Sequence, residues 1–204
     1  YKTEPAGFLQ LAAMRKQVSD LTGKPMLARW DASPAAVGYS ALDNIASIAM
    51  RGPLTPDHTL HTKRTAMIVD KDSDSAVDVF SKQYQKYFDK HNGGSLTCLD
   101  TAPRVGVWKN RGMLYFAPTV KRLQIVQDIA SHTQRAVQWA EKLGGWQALP
   151  ERDIFELEYW ELEQAKLKSS AVVPVLEGKI AIVTGAASGI GRACVELLVK
   201  RGAC

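Results

Sequence analysis

An α/β fold is predicted for this chain by two features of its sequence. Short apolar or β-branched runs alternate with longer stretches whose apolar residues recur at helical spacing, the pattern of mixed strands and helices. Near the C-terminus, Ile180-Ala181-Ile182-Val183 leads directly into a glycine-rich turn and a further helical pattern. So continuous an apolar run has the character of a strand covered on both faces in a parallel sheet.

The elements follow in order. Phe8, Leu11, Ala12, Val18 and Leu21 recur near helical spacing and stop at Gly23, giving a first helix. Met26–Trp30 is a strand. Ser33-Pro34 opens a turn or short helix, and Ser40 with Asp43 forms a capping box for a helix reaching Gly52. Ala66–Val69 is a second short strand, followed by a helix over Ser75–His91 with Val79, Tyr84, Tyr87 and Phe88 as core candidates, broken by Asn92-Gly93-Gly94-Ser95. Arg104–Trp108 and Met113–Ala117 flank Lys109-Asn110-Arg111-Gly112 as a hairpin. A long helix spans Thr119–Leu143 and ends at Gly144-Gly145, and a last one runs from Pro150 toward Lys168. Ser169–Glu177, small, β-branched and holding Pro174, reads as a linker. The chain thus divides into 1–168, a linker at 169–178, and 179–204.

Composition narrows the function classes. The balance of 46% apolar and 23% charged residues in 204 suits a globular protein with a sizeable core. No apolar run approaches about 18 residues, so no helical membrane span is expected, and no charged-then-apolar leader is visible. The 26 basic and 21 acidic residues are interspersed, which favours small anionic metabolites over nucleic acid. Cys98, Cys194 and Cys204 are odd in number and fit no ligand spacing, which points to a reducing compartment, with the cytoplasm as the expected location. A start at Tyr1 and a stop just after a helix make the chain read as an excerpt.

The glycine-rich stretch carries the clearest chemistry. Gly185, Gly189 and Gly191 stand in the pattern Thr-Gly-x-x-x-Gly-x-Gly between strand and helix. Glycines there permit a tight turn and let backbone N–H groups at a helix N-terminus approach a pyrophosphate. The stretch TGAASGIGRA resembles the cofactor turn of the short-chain dehydrogenases and matches that family's pattern throughout. The resemblance implies a Rossmann-type domain binding NAD or NADP through Thr184, Gly185, Ser188, Gly189, Ile190 and Gly191. It also implies a downstream Tyr-x-x-x-Lys pair, but none of the six tyrosines has lysine four positions on. Only the first strand and helix of such a domain are expected here, and the isolated chain is expected to be inactive as a dehydrogenase.

The larger part carries a second resemblance. GPLTPDHTLHTKR, APRVGVWKNRGMLYFAPTVKRLQIVQDIASHTQRAVQWAEKLGG and FELEYWELEQAKL, followed by a linker and a dehydrogenase turn, resemble the bifunctional aldolase/short-chain dehydrogenases of the rhamnulose-1-phosphate aldolase/alcohol dehydrogenase family. The resemblance implies a class II aldolase/adducin-like α/β domain, a sugar-phosphate substrate, a nicotinamide cofactor and a homo-oligomer. It also implies a divalent ion such as zinc, held by three histidines to polarise a ketone. The family's His-x-His pair and third histidine are not found, so the ligands are expected outside this chain, and no catalytic or metal-binding residue is assigned within it. Arg111 sits where an aldolase-like unit could place a histidine before glycine, a hint of a degenerate second aldolase-like unit serving structure.

His58, His61, His91 and His132 are the only histidines. Thr55-Pro56-Asp57 is a helix start, so His58 and His61 share a face near an anion-attracting N-terminus, with Lys63 and Arg64 close behind. Three readings stay open: capping and satisfied histidines with solvated basic residues, phosphate or substrate contact, or metal ligation. His132 is expected to be packed, and His91 to be a favourable charge at a helix C-terminus. Glu156, Glu158, Glu161 and Glu163 read as a solvated face, and Trp139, Trp146 and Trp160 as core or interface. The functional readings are an excerpt of the two-activity enzyme, a non-catalytic aldolase/adducin-like binding or assembly module, and a free-standing dehydrogenase, which the missing Tyr-x-x-x-Lys argues against.

Overall fold

The computed structural model describes residues 5–71, 73–167 and 173–204. Residues 168–172, the end of the first predicted unit and the front of the predicted linker, lie outside the described residues, as do 1–4. The centre is a four-stranded sheet in the order β1-β4-β3-β2, with β1 at Leu27–Asp31, β2 at Met67–Val69, β3 at Val105–Trp108 and β4 at Gly112–Ala117. β4 pairs antiparallel with both β1 and β3, and β2 runs parallel to β3.

β4 is buried along its whole length because helices cover both faces of the sheet. Successive side chains of a strand point to opposite faces, and β4 sorts accordingly. Leu114 and Phe116 join Met14, Val18, Val77, Phe80 and Phe155 in one core, from α1 (Pro5–Thr22), α5 (Ala76–His91) and α7 (Glu151–Glu158). Met113, Tyr115 and Ala117 join Tyr39, Ile45, Leu123 and Val126 in the other, from α2 (Pro34–Ser40), α3 (Ile45–Ala49) and α6 (Val120–Leu143). In α1 it is Met14 and Val18 that face inward, while Phe8 and Leu21 are exposed.

The β3–β4 hairpin forms as predicted. Asn110 at φ 62° turns the chain, and Gly112 at φ 114° passes so close to β1 that a Cβ would lie 2.1 Å from the Asp31 carbonyl oxygen. Ser40 differs from expectation. It ends α2, fully buried, and makes no capping box with Asp43; its Oγ donates to Val37 O (2.9 Å) and accepts from Gly112 N (2.9 Å), tying α2 to the hairpin. A buried hydroxyl is held by the strongest partners in reach, and here they come from the hairpin.

The last predicted helix is two: α7, and α8 at Glu161–Leu167 after a break at Tyr159-Trp160. The Gln164 amide donates to Glu158 O across the break. Glu158 and Glu163, predicted on a solvated face, are buried, and His132, predicted to be packed, is exposed, as are Val79, Trp139 and Trp160. The short four-residue α4 (Thr59–Thr62) follows a 3-10 turn at Pro56–His58. At the C-terminus, the run predicted as a covered strand forms no strand: residues 179–183 have no regular structure, Ile180 and Ile182 are exposed for want of a neighbouring sheet, and α9 (Gly189–Lys200) buries no residue.

Candidate functional site

Proline at the first position starts the Pro56–His58 turn, which runs on into α4 until Lys63 breaks the helix. Lys63 has φ 63° and ψ 168°, a backbone region that glycine normally occupies and that costs another residue on the order of 1–3 kcal/mol. The break swings the chain inward, and the Lys63 side chain is buried. Its ammonium donates to Asp100 O at 2.7 Å and lies 4.0 Å from the centroid of the Tyr84 ring. A cation over an aromatic face is attracted by the ring quadrupole, which replaces part of the lost hydration.

Around Lys63 the elements converge on a buried polar cluster. Tyr84 and Tyr87, one turn apart on α5, donate to the two Glu158 carboxylate oxygens at 2.8 and 3.1 Å. Tyr84 and Tyr159 hydroxyls meet at 3.0 Å, and Leu99 N donates to Tyr159 Oη at 3.3 Å. Arg104 donates to both Asp100 oxygens at 2.8 and 2.6 Å, a geometry that fixes the carboxylate plane. A cavity of about 100 Å³ adjoins these groups, lined by Lys63, Asp100, Arg104, Glu158 and Gln164 among others.

The charges in the cluster shift one another. Burial pushes the Lys63 amine down to about 8, against the pull of Asp100 and Glu158 and with Arg104 adding to the fall. Burial raises Glu158, opposed by Lys63 and the two tyrosine hydroxyls. At Asp100 burial acts upward, but Arg104 and Lys63 outweigh it and hold the carboxyl below its ordinary range. Tyr84, Tyr87 and Tyr159 are all raised, chiefly by burial.

The four residues predicted for phosphate or substrate contact do not converge. Arg64 pairs with Glu151 at 3.0 Å and lies over the Tyr87 ring, so it turns inward with Lys63. His58 and His61 are half-buried on the other side of α4 toward α6, where burial lowers both, His132 adding to the effect at His58 and Arg122 at His61. His58 Nδ1 is buried with no hydrogen-bond partner among the described residues. Arg111 lies in the hairpin turn, 5.0 Å from the Trp108 ring centroid and 3.2 Å from Gln10 Oε1. His91 ends α5 and bonds Glu151 at 2.8 Å. The sequence reading missed Glu158 and its tyrosines. The signal was there: Ile154 and Phe155 stand four residues before Glu158 and Tyr159, so helical spacing puts all four on one face.

The predicted cofactor turn is a turn over residues 184–187, and Ser188 is the extended residue before α9. Gly185 and Gly189 have φ of 67° and 54°, and a Cβ on Gly191 would lie 2.3 Å from the Gly185 carbonyl oxygen. Side chains at these positions would strain or block the turn, so its N–H groups and the head of α9 remain open to an anion. Cys204 N donates to Lys179 O at 2.9 Å and Ala181 N donates to Cys204 O at 2.8 Å. These bonds flank Ile180 in the spacing of a parallel ladder.

Residues 8–167 match the family described as aldolase class II, second domain. The chain belongs to the class II aldolase family. It is similar to the uncharacterized oxidoreductase YuxG of Bacillus subtilis (strain 168), 25% identical over 191 residues that make up 88% of this chain and 28% of that protein. A second similarity, 79% identical over 28 residues, is to the 3-oxoacyl-[acyl-carrier-protein] reductase FabG of Vibrio harveyi and covers 14% of this chain and 12% of that protein. The chain therefore spans under a third of either relative. Class II aldolase chemistry uses a divalent ion, but among the described residues no three histidine, cysteine, aspartate or glutamate side chains group to hold one. The donor set present does not fit a zinc centre. No helix among the described residues is long and apolar enough to cross a membrane.

Proposed function

We propose that this chain is the junction of a two-activity enzyme. In this reading a class II aldolase part cleaves a ketose 1-phosphate of the rhamnulose 1-phosphate type to dihydroxyacetone phosphate and an aldehyde. A short-chain dehydrogenase part then oxidises or reduces the aldehyde or alcohol with NAD or NADP. One observation carries it: an aldolase-family domain over 8–167 is followed by a glycine-dependent turn at the head of α9, with two backbone bonds to Cys204 flanking Ile180 before it. The short similarity to a reductase supports the second half.

At the turn, the N–H groups of Gly189, Ile190 and Gly191 bind and orient the cofactor pyrophosphate, with the Ser188 hydroxyl and Thr184 beside them. The cofactor supplies hydride acceptance or donation when bound. The reading includes a homo-oligomer in the cytoplasm. The test is to purify the full-length protein that contains this segment and to follow triose phosphate release and nicotinamide absorbance with rhamnulose 1-phosphate and lactaldehyde. Both signals are expected; absence of both overturns the reading.

A second reading, a non-catalytic assembly module, is favoured for the aldolase-like part by the inward commitment of Arg64. It predicts that substituting His58 and His61 in the full-length protein leaves aldolase turnover unchanged while its ligands elsewhere are essential. A fall in turnover would return these histidines to the substrate site.

A further inference from the structure

The buried lysine at the α4 break has a chemistry that the junction reading does not use. We propose that the Lys63 amine captures a small aldehyde as a Schiff base in the cavity it shares with Glu158 and Arg104. The inference stands apart from the C-terminal turn, so failure of either leaves the other intact.

Geometry carries it first. An ammonium has three N–H donors. One of those on Lys63 is spent on Asp100 O, and the charge rests on the Tyr84 ring, while the groups around the nitrogen line a cavity of about 100 Å³. At roughly 30 Å³ per water, that space takes about three waters, or a two- to three-carbon aldehyde in their place. Half-buried Leu60, Leu99 and Gln164 also line it, so the cavity extends toward the surface.

The backbone supports the placement. Lys63 sits in a conformation foreign to lysine, and no backbone requirement selects that side chain over glycine there. Strained residues of this kind gather where a side chain must be held in one place. Lysine becomes a nucleophile when it is desolvated or set beside another cation; Lys63 is buried and feels Arg104, and its lowered proton affinity agrees.

The step balances. Lys63 first passes its extra proton to the Glu158 carboxylate; the freed Nζ lone pair adds to the carbonyl carbon, forming the C–N bond, and the carbonyl oxygen takes that proton from Glu158. Glu158 next takes a proton from the nitrogen, giving a neutral carbinolamine, and returns it to the hydroxyl as the nitrogen lone pair forms the C=N bond, the C–O bond breaks and water leaves. The sum is ammonium plus aldehyde giving protonated imine plus water, with Glu158 again a carboxylate. Tyr84 and Tyr87 hold Glu158 in place for both transfers.

The test treats the chain with glycolaldehyde and cyanoborohydride for short times at neutral pH and maps the reduced adducts by peptide mass spectrometry. Lys63 is expected to label at least about tenfold faster than exposed Lys16 and Lys82, although it is far less accessible. Labelling of Lys63 no faster than those two overturns the proposal, and this comparison needs no variant. In Glu158→Gln protein that keeps the wild-type circular dichroism, Lys63 labelling is expected to slow about tenfold while Lys16 and Lys82 are unchanged. An unchanged Lys63 rate removes Glu158 from the step.

Discussion

Gly112 shows how one missing carbon sets a sheet. A Cβ there would press on the Asp31 carbonyl at 2.1 Å while the backbone keeps φ at 114°. Gly112→Ala is therefore expected to destabilise by several kcal/mol, on the order of 3 or more, because both the contact and the conformation must give. Urea unfolding of the two proteins measures it. Glu151 offers a prediction in pH. Lys90, His91 and Arg64 surround it and, against the effect of burial, hold its carboxyl down at about 2 from an ordinary 4.5. A depressed carboxyl gives stability that is present above the unfolded value and lost as pH falls through the folded one. That contribution should fade between about pH 4.5 and 2. Acid titration of Glu151→Gln should show a flatter limb there, and added salt should shrink the difference, since the group is partly exposed.

Helix signals were legible where they were local. Thr119 was read as the start of the long helix, and its Oγ1 accepts from Arg122 N at 3.1 Å. Thr119→Ala is expected to cost about 0.5–2 kcal/mol. Asp43→Ala is expected to stay within about 0.5 kcal/mol, because Asp43 is exposed and Ser40 has other partners. Thermal melts of the pair separate a working cap from one that only the spacing suggested. Signals that depended on distant partners were not legible. Ser40 is claimed by the hairpin, more than seventy positions away in the chain, and Glu158 by tyrosines of α5. Lys63 was picked out with its neighbours, but for a phosphate surface; nothing in GPLTPDHTLHTKR says that the helix would stop one residue earlier and turn that lysine inward. The turn at 184–187 was legible because its glycines are explained by the turn itself, whereas the apolar run before it forms no strand, since it has no sheet to join.

At the scale of the whole chain, the open glycine-rich turn and the closed aldolase-family domain behave differently. A helix-end contact with an anion contributes about 0.3–2 kcal/mol, whereas micromolar affinity requires about 8 kcal/mol. Calorimetric titration of the chain with NAD and NADP is therefore expected to show no micromolar binding, and a micromolar isotherm would mean that the turn is already a complete site. The sheet order has a consequence in time. The β3–β4 pair closes over a three-residue turn, whereas β1 reaches β4 only after most of the domain has been laid down, with Leu27 opposite Ala117. Contacts this far apart in sequence must close a long loop before they are rewarded. The hairpin should therefore form early on the folding route and the β1 edge late: in stopped-flow experiments, hairpin substitutions should slow refolding, while substitutions at Leu27 or Ala28 should mainly hasten unfolding.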